Sequence, residues 1–126
     1  MENKAYKYYK EGASCSGCLL KAFENYYKIP LNKQCYYMTS GINNGFGIGS
    51  TCSALMASIM MFGLMFDKDT VKRLRMKLFS EFLDIYKDLG CYEIKKERKH
   101  TGDCADVVKD IALITKKLIN EERSRK

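Results

Sequence analysis

The sequence predicts an all-α fold: a compact bundle of five or six helices in one domain, 1–126, with a glycine-rich loop leading into a central apolar helix. Three observations carry this expectation. Apolar residues recur three and four positions apart in segment after segment, the spacing of one helix face. Pro30 is the only proline, and alternating β-branched runs are scarce. Residues suited to capping a helix stand just before most apolar-periodic segments. A chain of 126 residues is long enough to bury one substantial core.

The first helix is expected over Asn3–Glu11, with Ala5, Tyr6 and Tyr9 toward one side and Gly12 as its stop. Ser14 caps a second helix, Cys15–Lys28, on which Leu19, Leu20, Phe23 and Tyr27 recur at helical spacing. Pro30 breaks it. Asn32 caps a short third helix through Cys35, Tyr36 and Met38, ending by Gly41. The glycine-rich stretch NGFGIGS then runs into the most apolar segment of the chain, from about Cys52 to Phe66, with Ser50 or Thr51 as its cap. A polar break at residues 67–69 precedes a long amphipathic helix, capped by Asp69 or Thr70 and running to about Leu89. Val71, Leu74, Leu78, Phe82 and Ile85 form its apolar stripe, and Gly90 ends it with Cys91 just beyond. Residues 93–102 read as a charged connection. Asp103 caps a last helix from Cys104 through Val107, Ile111 and Leu118, with a fraying tail from Glu121.

Composition narrows the function classes. Hydrophobic residues are 46% and charged residues 29%, which excludes a disordered or fibrous chain. The N-terminal stretch lacks the apolar core of a secretion signal, and the apolar run from Cys52 is too short and too polar to span a membrane. A cytoplasmic, reducing location is the expectation, with no membrane partner. There, six cysteines point to metal binding or redox chemistry more than to a disulfide scaffold. The net charge of +7 suits an acidic partner, but charge alone does not make a nucleic-acid site, and nucleic acid is not expected. The tyrosine-bearing faces of the first three helices leave room for a homodimer. His100, the only histidine, sits in the basic run KKERKH and reads as solvated surface. No general acid–base pair stands out, so the residues do not establish an enzyme. The glycine stretch has no preceding strand and no following Lys-Ser/Thr, so it is not a phosphate loop.

Cys15, Cys52 and Cys104 each fall at an expected helix start, where the positive end of the helix dipole and unpaired amides favour a thiolate. Cys91 falls just past an expected helix end. Helix ends gather at two poles of a bundle, which allows these four to converge.

The arrangement resembles a family of small proteins classed as redox-active and labelled by the cysteine pattern C_GCAxxG_C_C. The resemblance runs from about Gly12 to Leu118, through GASCSGCLLKAF around Cys15, the loop and helix around Cys52, EFLDIYKDLGC leading to Cys91, and DCADVVKDIALI around Cys104. It places the family cysteines on Cys15, Cys52, Cys91 and Cys104, leaving Cys18 and Cys35 as additions. The family's second cysteine sits in Cys-Gly-Ala-x-x-Gly; this chain has Ser53 and Ala57 where that pattern has glycine. The resemblance implies a redox or iron–sulfur protein.

Several chemistries remain open at this stage. Four cysteines from four segments match the ligation of an iron–sulfur cluster, with Gly45, Gly47 and Gly49 placed to donate amides to its sulfurs and Met56, Met60, Met61 and Met65 to wall off solvent. Electrons would then pass to a redox partner, an acidic protein. The same four thiolates could hold zinc. A cofactor-free thiol–disulfide oxidoreductase or redox sensor would use the Cys15/Cys18 pair. That C-x-x-C is followed by Leu19 and not histidine, which removes the haem-attachment reading. Finally, buried cysteines can be simple core residues, the reading preferred for Cys35.

Overall fold

The computed structural model describes residues 1–97 and 103–125. Seven α-helices follow in order: α1 Glu2–Lys10, α2 Cys15–Tyr27, α3 Lys33–Met38, α4 Ser53–Met65, α5 Lys68–Tyr86, α6 Cys91–Glu97 and α7 Ala105–Ser124. One wide turn, Gly45–Gly49, lies between α3 and α4 and closes through Ser50 N–H donating to Gly45 O at 2.9 Å. The fold is all-helical, with more segments than the five or six expected. The additional one is α6, which occupies the charged stretch first read as a connection. His100 lies outside the described residues.

Local chemistry explains most boundaries. Ser14 caps α2 by accepting from Gly17 N–H, and Asn32 caps α3 by accepting from Cys35 N–H. Gly17 is tied to that cap, because a Cβ there would meet Ser14 Oγ at 2.8 Å. Asp67, not Asp69 or Thr70, caps α5, its side chain accepting from Thr70 N–H. That helix ends at Tyr86, with Lys87 left-handed, short of Leu89. The expected fraying tail is helical: α7 runs to Ser124, and Glu122 is buried against Arg73 of α5 through two bonds of 2.7 and 2.8 Å.

α4 is the central apolar helix. It packs against α2, α5 and α7, which explains why its sequence carries no polar stripe. Ala54, Ala57 and Ala112 are fully buried and let α4 and α7 bury Leu55, Phe62, Val108 and Ile111. Ser58 and Thr115, both without solvent exposure, meet across the same two helices in a 2.9 Å hydrogen bond. α1 lies along α2 and α7, tied to α7 by Lys116–Glu2. Among the described residues no helix is long and apolar enough to cross a membrane.

Candidate redox site of four cysteines

The N-terminal ends of four helices meet at one place. Cys15 and Cys91 are the first residues of α2 and α6, and Cys52 and Cys104 are the N-caps of α4 and α7. Cys91 therefore opens a helix, where the sequence suggested it lay past the end of one. All four line a single cavity with Ser53, Ile94, Lys95, Val107 and Val108. Its volume is about 10 Å³, room for about one water.

Each cysteine is fixed by a different device. Cys15 follows the Ser14 cap. Cys52 and Cys91 are set side by side by a short antiparallel bridge between Thr51 and Gly90. In it, Cys52 N–H donates to Leu89 O at 2.9 Å and Cys91 N–H to Ser50 O at 2.5 Å. Ser50 and Thr51, expected as caps for α4, act here through their backbone instead. Cys104 N–H donates to Tyr9 Oη at 3.2 Å, which pins the start of α7 to α1. Lys10, bonded to Asp103 at 2.6 Å, strengthens the same junction.

Burial decides the protonation of Cys15 and Cys52. It pushes Cys15 up to about 12, with further upward contributions from Cys52, Cys104 and Cys91 and a small opposing one from Lys95. Cys52 is pushed up to about 11, again by burial first, although the amides of Leu55 and Ala54 pull the other way. The helix-dipole argument from sequence identified real interactions and misjudged their sum: desolvation of a buried thiolate costs more than two amides and a helix end return. Cys52, Cys91 and Cys104 are buried, while Cys15 is partly open to solvent.

The other expected site residues stand elsewhere. Cys18 is fully buried in the core, outside the cavity lining, and its thiol donates to Cys15 O at 3.1 Å. Cys35 is on α3, away from the cavity. Gly45, Gly47 and Gly49 do not line it. Gly45 and Gly49 shape the wide turn with φ of +60° and +75°, and Gly49 gives Tyr92 of α6 room to pack, since a Cβ there would lie 2.7 Å from Tyr92 Cβ. The methionines are not its walls either: Met61 is core, Met60 is exposed, and Ile94, Val107 and Val108 supply the apolar lining. None of the six cysteines is in a disulfide. Among the described residues no three His, Cys, Asp or Glu side chains are close enough to hold a single metal ion.

Sequence reasoning missed Asn43, Leu89, Lys95 and Tyr9. Each acts through a backbone group or across a long sequence separation, so no local spacing announces it. Lys95 Nζ donates to Asn44 Oδ1 at 2.6 Å, joining α6 to the wide turn beside the cavity.

Residues 13–118 match the model of a family described as "Putative redox-active protein (C_GCAxxG_C_C)". The chain belongs to this family. No curated protein and no solved structure matches it. The match spans all four cavity cysteines, and it also includes Cys18 and Cys35, which the cavity leaves out.

Proposed function

We propose that this family member is a redox protein in which Cys15, Cys52, Cys91 and Cys104 bind an iron–sulfur cluster and pass electrons to a partner protein. The observation that carries the reading is the convergence of these four thiols, from four helix starts, on one cavity whose other polar side chains are Ser53 and Lys95. The donor set suits a cluster better than a single zinc ion. Tetrahedral zinc with bonds of about 2.3 Å needs sulfurs about 3.8 Å apart, and the described side chains do not close to single-ion spacing. A cluster would share the four thiolates among two or more irons, so they need not all close on a single ion.

A cavity with room for one water must widen to admit a cluster. α6 is the wall suited to yield: it has seven residues and packs chiefly on the Gly45–Gly49 turn. When bound, such a cluster supplies a one-electron couple. The chain's own residues do the rest. Ile94, Val107 and Val108 keep water off the sulfurs, the Lys95 ammonium offsets negative charge, and Cys15, the partly open ligand, is the side facing an electron partner. A protein of net charge +7 suits a partner with an acidic surface.

The test is purification without oxygen, followed by a visible spectrum and assays of iron and acid-labile sulfide. Coloured protein is expected to lose its colour on substitution of Cys15, Cys52, Cys91 or Cys104 by serine, and to keep it in Cys18→Ser and Cys35→Ser. A colourless, iron-free protein that cannot be reconstituted anaerobically would refute the reading.

A further inference from the structure

Behind the cysteine cavity is a polar network centred on one amide. Asn43 Oδ1 accepts from Ser16 Oγ at 2.7 Å, from Ser16 N–H at 3.3 Å and from Ser53 Oγ at 3.2 Å. Its Nδ2 donates to Thr39 O at 3.3 Å. Ser16, Ser53 and Thr39 are buried. The amide orientation follows from the partners, because Ser16 N–H can only donate and Thr39 O can only accept.

The two serines are the residues directly after Cys15 and Cys52. One side-chain oxygen therefore bridges the first turn of α2 to the first turn of α4. We infer that Asn43 is a positioning residue of the four-cysteine pocket, holding Cys15 and Cys52 at a fixed separation through Ser16 and Ser53. The inference rests on the proposed role of that pocket, but the separation it describes belongs to the protein with or without a bound group.

The residue type fits the task. An acceptor is needed toward the serines and a donor toward Thr39, and asparagine carries both on a short side chain. Aspartate would keep the acceptor and lose the donor. Alanine would leave two buried hydroxyls and one amide without this partner. Cys91 and Cys104 are held by other means, the Thr51–Gly90 bridge and Tyr9.

The test is site-resolved alkylation of the reduced, metal-free full chain, in wild type, Asn43→Ala and Asn43→Asp, read by peptide mass spectrometry. In Asn43→Ala the rates at Cys15 and Cys52 should both rise about tenfold, the factor for one unmade buried hydrogen bond, while Cys91 and Cys104 stay at wild-type rates. Asn43→Asp, which keeps the acceptor, should restore most of the protection at both. Equal rises at all four cysteines would mean general destabilisation and would overturn the inference, as would no rise, or a rise at one of the pair only. If Asn43→Ala does not fold, Ser53→Ala decides: a rise at Cys52 alone supports the link, and an unchanged Cys52 overturns it. Anaerobic reconstitution then separates the two claims. Wild type that takes up no iron and sulfide defeats the cluster reading, while the paired alkylation pattern still decides the role of Asn43.

Discussion

In the metal-free protein Cys15 and Cys52 should stay protonated far above neutral pH. Burial pushes Cys52 up to about 11 and Cys15 up to about 12, each from an ordinary value near 9. At pH 8 about one Cys52 in a thousand is then a thiolate, against about one in ten for an unperturbed cysteine near 9. Alkylation of Cys52 should run about a hundredfold slower on this count alone, before steric protection. The stability consequence has a definite sign. The folded-state values lie above the unfolded ones, so the contribution is fully present below about pH 9 and is lost as pH rises through about 11 to 12. For Cys52 a rise of about two units corresponds to at most about 3 kcal/mol. The assay is iodoacetamide alkylation from pH 7 to 11, resolved by peptide, with half-exposed Cys35 as the accessible reference. Urea unfolding of wild type and Cys52→Ala over the same range isolates the thiol from titrating lysines and tyrosines. A Cys52 rate profile with its midpoint near or below pH 8.5 would refute the reasoning, because the helix end and the two amides would then outweigh burial.

The bundle makes further predictions. Gly49→Ala should lower stability by about 1–2 kcal/mol from its left-handed backbone alone, with more from the overlap at Tyr92, and should loosen Cys91; urea unfolding and Cys91 alkylation report both. Gly63→Ala, inside α4 with nothing within 4 Å of the added methyl, should instead stabilise by about 0.5–1 kcal/mol, seen as a higher urea midpoint. Thr115→Val should cost about 1 kcal/mol by removing the donor to Ser58, and much less in a Ser58→Ala background, a double-mutant cycle that a simple packing defect would not reproduce. Arg73→Ala should release the last turn of α7, raising amide exchange near Glu122 and leaving the first turns protected.

Much of the fold was legible because its signals are local. Ser14 and Asn32 cap as their sequence positions suggest, since a cap needs only a side-chain oxygen within three residues of an amide. One error was local: Asp67 displaced Asp69 and Thr70 as a cap, although all three are chemically suited. The others came where nonlocal contacts outbid local ones. Ser50 and Thr51 gave their backbone to the segment before Cys91. The tail from Glu121 stays helical because Arg73, distant in sequence, neutralises Glu122. The stretch after Gly90 looked like a charged connection because, among its described residues, Cys91 and Ile94 are the buried side chains, too few for a periodic stripe.

The candidate site divides in the same way. Sequence alone singled out four cysteines: Cys15, Cys52 and Cys104 beside helix-start signals, and with Cys91 a family pattern spanning most of the chain. It also determined the all-α class, because apolar spacing and cap chemistry are properties of short windows. Only the tertiary structure decided that Cys91 opens a helix, that Cys18 points into the core, and that Ile94, Val107 and Val108, not the methionines or the glycine amides, enclose the sulfurs. It alone decided the charge state of Cys15 and Cys52, because desolvation depends on what surrounds a group in space. A helix start favours a thiolate wherever it occurs; burial against an apolar wall outweighs it at these two.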